Sequence, residues 1–138
     1  MKIIPKTGKE LMEKYPKIFR QKDIDMRQTC MCWGKECGKG WLELLDMLCF
    51  SLQWNTDRNG YPQVEATQVK EKFGTLRFYY TTVSVEGKEH TERQYGAIDG
   101  RIEFAELLSE SICEKCGSNH NVTQTEGRIT SLCENCIK

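Results

Sequence analysis

The chain has 138 residues, of which 38% are hydrophobic and 29% charged. That length suits one compact domain or a domain with a small appendage, and the composition is too apolar for a disordered chain. Twenty Lys/Arg balance twenty Asp/Glu, so the formal net charge is zero, which argues against general, salt-driven nucleic-acid binding as the main function. The charge is nevertheless uneven: the first forty residues hold ten cations against five anions, a basic end suited to an anionic partner.

In chain order, "MKIIPKTGKELMEKYPK" lacks the apolar core of a secretion signal, and no apolar run in the chain is long enough to span a bilayer. We read the protein as cytoplasmic, in a reducing compartment where cysteines serve as thiols or metal ligands more often than as disulfides. Thr7–Glu10 has capping-box spacing, and Leu11, Met12 and Tyr15 form one side of a short helix that Pro16 ends. Residues 20–29 read as loop. The glycine-rich "CMCWGKECGKGW" leads into a core helix at about 41–54, where Trp41, Leu45, Leu48 and Leu52 recur at helical spacing, with Leu44 and Cys49 widening the stripe. "NTDRNGYP" breaks that pattern.

Gln63–Thr82 reads as two strands about Gly74, and "VSVEGKEH" is a candidate extension of the sheet. A second helix is expected over 93–111, with Tyr95, Ile98, Ile102, Ala105, Leu108 and Ile112 on its buried side. Gly96 and Gly100 weaken it, so either something packs closely there or the helix starts late. The predicted fold is α+β: a short antiparallel sheet packed by two main helices over residues 1–112, followed by a zinc ribbon-like element over 113–138.

The strongest chemical signal lies in that tail. "CEKC" at 113–116 and "CENC" at 133–136 each bring two thiolates to one cation, and together Cys113, Cys116, Cys133 and Cys136 complete a tetrahedral S4 site for one structural Zn2+. A redox dithiol would place one C-x-x-C at a helix start in a βαβ pattern, which is absent. His120, beside the knuckle, is a spare ligand or a surface histidine. Cys30, Cys32, Cys37 and Cys49 match no common finger spacing; a second metal is weighed there against core thiols in a glycine-shaped bend. Only His90 and His120 are available as imidazole bases, both distant in sequence from Cys37, so no nucleophile–base pair is legible.

Two surfaces are candidates for binding. Strand alternation puts Arg77 and Tyr79 outward, near Lys70 or Lys72, where cations and a ring can grip a phosphate and stack a base. The plainer reading pairs those cations with Glu65, Glu71 or the second helix at a gain below about 1 kcal/mol each. On that helix Asp99, Glu103, Glu106 and Glu110 form an acidic side, either simply solvated or a contact for a basic host protein.

"YPKIF", "CMCWGKECGKGW" and "VKEKFGTLRFYY" resemble segments of a family of small, uncharacterised bacteriophage and prophage proteins. Members commonly carry CGDGW before a helix, KEKFG-x-LRFY in a hairpin and a cysteine-rich tail. The resemblance covers most of residues 11–80 and the layout of the tail; Lys39 stands where the family usually has Asp. It implies a phage origin and an α+β fold with a zinc element, and supplies no reaction. By analogy with small phage proteins, the expected function is non-enzymatic binding that inhibits a bacterial defence or other host factor. The partner would be a host protein or nucleotide signal in the host cell cytoplasm. A nucleic-acid-binding accessory zinc module is the alternative, and an enzyme of unknown reaction a second one.

Overall fold

A computed structural model describes residues 3–23 and 38–137. Helix α1 spans Gly8–Lys14, with the Thr7 hydroxyl accepting from the Glu10 amide at 3.1 Å and the Lys6 amide donating to the Glu10 carboxylate at 2.8 Å. The helix stops at Lys14, two residues before Pro16, because the ring disfavours helical geometry at Tyr15. Tyr15, Ile18 and Phe19 then drop into the core. "YPKIF" is therefore a packing segment. A short 3-10 turn at Arg20–Asp23 follows, and a second, Lys39–Trp41, opens helix α2 over Leu42–Asn59.

The expected α2 stripe of Trp41, Leu44, Leu45, Leu48, Cys49 and Leu52 is buried. The helix runs five residues past the predicted end and closes at Gly60, which adopts φ +68°. Side chains carry it through "NTDRN": Asn55 donates to the Ser51 carbonyl at 2.8 Å, and buried Thr56 donates to the Leu52 and Pro62 carbonyls at 3.2 and 2.9 Å. The Asn-Gly pair is thus a left-handed C-cap and not a chain-reversing turn.

Strands β1 (Gln63–Lys72) and β2 (Thr75–Val83) form one antiparallel hairpin with a bulge between Ala66 and Gln68. Its two-residue tip has φ +54° at Phe73 and +80° at Gly74, as a type I′ turn requires. The Glu71 carboxylate accepts from the Gly74 amide at 2.8 Å. Of the two readings, a hairpin or a sheet extended by "VSVEGKEH", the hairpin forms: the sheet has two strands, and the chain turns at Gly87 without pairing. The outer edge of β2 is taken by α3 (Glu92–Ser109). Ser109 Oγ accepts from the Leu76 amide and Glu106 Oε2 from the Phe78 amide, both at 2.8 Å. A helix thereby satisfies the donors that a further strand would have used.

Helix α3 starts at a full capping box, Thr91 with Gln94, so a late start does not account for Gly96 and Gly100. Close packing does not either: a methyl group on each would meet no atom within 4 Å. Ile98, Ile102 and Ala105 are buried as expected, whereas Ser109 replaces Leu108 on the inner side. Strands β3 (Val122–Gln124) and β4 (Ser131–Cys133) pair antiparallel around Gly127 in the tail.

One polar group inside α2 escapes the sequence pattern. Asp46 is fully buried, and its Oδ1 accepts from Lys14 Nζ and from the Tyr15 hydroxyl, each at 2.8 Å; the hydroxyl also lies 3.0 Å from the Asp46 carbonyl. Asp46 Oδ2 has no partner among the described residues. Burial, then the Asp46 carboxylate, push the Tyr15 phenol and the Cys49 thiol upward, so both stay protonated.

Two outcomes follow for stability in urea unfolding at constant metal loading. Tyr15→Phe leaves a buried carboxylate with only Lys14 as its side-chain donor and should lower stability by about 1–3 kcal/mol. Gly96→Ala or Gly100→Ala should raise it by about 0.5–1 kcal/mol each, since the methyl has room and the helix gains propensity.

Candidate functional site

The tail cysteines converge. Cys113 precedes a tight turn in which the Gly117 amide donates to the Cys113 carbonyl at 2.8 Å, with Gly117 at φ +84°. Cys133 ends β4, and the Cys136 and Ile137 amides donate back to its carbonyl at 3.1 and 3.0 Å. The two turns face each other, so the sulfurs of Cys113, Cys116, Cys133 and Cys136 all lie within 4.8 Å of one another, with Cys116 and Cys133 at 3.6 Å. Four sulfurs at the usual metal–thiolate distance around a tetrahedral ion are separated by about 3.8 Å. The cluster therefore fits a metal ion.

Its electrostatics point the same way. Burial disfavours a Cys113 thiolate, but the backbone amides of Cys133, Cys116 and Lys115 hold its pKa down to about 6. Cys136 is pushed up to about 12, first by its contact with Cys133 and then by Cys116. One thiolate forms readily while Cys116 and Cys136 resist joining it, a repulsion that a cation between the sulfurs would relieve. His120 stands outside this group, exposed and 3.9 Å from Glu134. Cys49 is buried in α2 and has no part in it. Cys30, Cys32 and Cys37 lie outside the described residues.

The seat of the cluster is the segment Gly38–Lys39–Gly40–Trp41. The Gly40 amide donates to the Glu114 carbonyl at 2.7 Å, and the Trp41 indole donates to the Ile112 carbonyl at 3.0 Å. Main chain rests directly on main chain. A Cβ at Gly40 would overlap the Cys113 carbonyl and lie 2.6 Å from both the Glu114 carbonyl oxygen and the Gly117 nitrogen; one at Gly38 would overlap the Glu114 carbonyl. Lys39, between them, is exposed. On the other side, Glu114 N donates to the Ser131 carbonyl at 2.9 Å, and Ser131 Oγ donates to the Gly74 carbonyl at 2.6 Å. The glycine-rich bend and the hairpin tip thus hold the cluster between them. In sequence those glycines read only as a bend; their i, i+2 spacing just before Trp41 is the available signal.

The second candidate surface also takes shape. The register sets Lys70 directly opposite Arg77 and Gln68 opposite Tyr79, with Lys72 opposite Thr75, so Lys70, Lys72, Arg77 and Tyr79 share one face of the hairpin. The carboxylates expected to neutralise them are engaged elsewhere: Glu65 with Arg20 at 2.9 Å, and Glu71 with the Gly74 amide. The acidic row of α3 is not a uniformly solvated side. Glu106 caps the β2 edge, Asp99 accepts from the Tyr80 hydroxyl at 3.0 Å, and only Glu103 and Glu110 are exposed without a side-chain hydrogen bond among the described residues. Arg77, Tyr79, Asp99, Glu103 and Glu106 border one open cavity of about 460 Å3. No ion pair within 4 Å joins Arg77 to those acids among the described residues.

No protein-family model, curated protein or solved structure matches the chain. Among the described residues, no helix is long and apolar enough to cross a membrane.

Gly40→Ala tests the seat. Because backbone must move to admit the methyl, the substitution should cost about 3 kcal/mol or more and reduce metal retained per chain. Lys39→Ala between the two glycines should stay within about 0.5 kcal/mol of wild type. Chemical denaturation paired with elemental analysis reads both.

Proposed function

We propose that the protein is a small, phage-type binding protein stapled by one structural Zn2+, acting without catalysis on a host factor through its basic hairpin face. Four thiolates fill a tetrahedral ion's coordination and leave no position for water or substrate, so the metal holds the fold and does not react. The observation that carries the binding reading is the cross-strand pair Lys70–Arg77 beside Lys72 and Tyr79. Like charges opposite one another destabilise a hairpin, Glu65 and Glu71 are spent on other donors, and among the described residues no α3 acid bordering the same cavity lies within ion-pair distance of Arg77. An anionic group, phosphate or carboxylate, would complete the face, with Tyr79 offering a ring for stacking. This fits a host protein's acidic segment or a nucleotide signal.

Native mass spectrometry should find one zinc per chain, and chelation should unfold the protein. Pull-down from bacterial lysate should retain a host protein or nucleotide that the Lys70→Glu/Arg77→Glu variant loses while keeping its zinc. Recovery of nothing by folded wild type, or equal recovery by the variant, counts against the reading. A mobility shift with oligonucleotide that fades steeply with added salt would favour the nucleic-acid module instead.

A further inference from the structure

Helices α2 and α3 run antiparallel: the Trp41 indole meets Ile112 at one end, and Arg101 lies over the Tyr61 ring at 5.8 Å near the other. Their outer side is apolar. Met47 and Phe50 are each 54% exposed, Phe104 59% and Leu107 60%, with Trp54 and Leu108 also exposed. At roughly 200 Å2 per large side chain, these six leave about 620 Å2 of apolar surface, at the upper limit of what a monomer shows.

The order of residues along α2 says what covers it. Glu43, Met47, Phe50, Trp54 and Arg58 are all exposed on one side of the helix and recur every three or four positions, as in a helix-pairing seam. About the Phe50–Ser51 bond the series holds two symmetric pairs, with Phe50 falling opposite Ser51. Met47 and Trp54 are equidistant from that point, and so are Glu43 and Arg58. An antiparallel copy of the same helix, related by a two-fold axis there, sets Met47 against the second copy's Trp54 and Glu43 against its Arg58. Arg58 is already held over Trp54, its guanidinium 4.8 Å from the ring. Lys6 and Lys39 stand beyond Glu43, around a cavity that Glu43, Met47 and Leu108 border on one side and Cys116 on the other. Self-complementary charge under one rotation is what an isologous interface requires, and a zero net charge does not oppose association.

We propose that two copies of this chain pair through the α2–α3 face, with α2 antiparallel to its equivalent. Covering both faces buries about 1,250 Å2, at the low end of the range of specific interfaces. The proposal is independent of the hairpin reading, since no residue of that face takes part.

Sedimentation or light scattering of the zinc-loaded full chain over a micromolar concentration series tests it. Wild type should approach twice its 16.0 kDa mass, and Phe50→Glu should be monomeric with unchanged circular dichroism and metal content. Glu43→Arg or Arg58→Glu alone should weaken dimerisation about tenfold or more, and the two together should restore it. That rescue needs no apolar substitution, so it remains decisive if Phe50→Glu misfolds; Leu107→Glu serves as a second disruptor. A monomer at every concentration overturns the proposal and leaves the face to a different protein. A dimer that survives both disruptors, or a double swap without rescue, overturns it equally.

Discussion

The structure turns on one approach of main chain to main chain, where Gly40 lies against Cys113–Gly117. Side chains normally keep two backbones from meeting this closely; glycine removes the obstacle and permits a direct amide-to-carbonyl bond. Trp41 then anchors the same segment in the core while its indole hydrogen-bonds Ile112. Since Ile112 immediately precedes Cys113, the start of α2 and the metal cluster are positioned by consecutive residues on both sides. Metal affinity and core stability would consequently be linked: an ion that orders the thiolates would also order the first turn of α2, and its removal would release both.

A second set of contacts explains how so small a sheet avoids an exposed edge. Two strands alone are marginal in water, and the donors of Leu76 and Phe78 would invite another strand. Ser109 and Glu106 from α3 occupy them, while Ser131 from the tail grips the hairpin tip through Gly74. The consequence reaches the surface. Acids that look available in sequence are committed to backbone amides, so the hairpin's cations lie among fewer neutralising partners than composition suggests.

What was legible in the sequence is what local spacing encodes. Four sulfurs at C-x-x-C intervals, an apolar stripe from Trp41 to Leu52 and a glycine between β-rich runs each specify structure within a few residues of themselves. The misreadings have tertiary causes. Helix α2 passes through "NTDRN" because Thr56 and Asn55 bond to the preceding turn, which overrides weak propensity. "VSVEGKEH" resembles a strand, but α3 already fills the edge it would have joined. Asp46 interrupts an apolar helix with nothing nearby in sequence to explain it; its partners, Lys14 and Tyr15, lie on a different element. Glu106 is indistinguishable in sequence from Glu103, and only the fold separates a cap from a surface acid.

Asp46 also shows why apolar burial alone does not determine this arrangement. A leucine there would avoid the cost of burying a carboxylate and would pack about as well. It would also remove the directional contact between α1 and α2. Leu11 and Phe19 offer only side-chain packing, and the Ile18 carbonyl, which accepts from the Ala66 amide at 2.8 Å, ties the chain to β1 and not to α2. A carboxylate that must meet both Lys14 and Tyr15 admits one placement of α1 on α2. The same logic applies at the other end of α2, where the Gly40 contact admits one placement of the metal cluster. Helix α2 is thereby fixed from both sides by directional bonds, which leaves its outward residues, Glu43 through Arg58, displayed in a constant register. A helix held in register, with its apolar side exposed among the described residues, is the condition for recognising a partner by shape, and it is met here by polar and backbone contacts that hydrophobic patterning does not reveal.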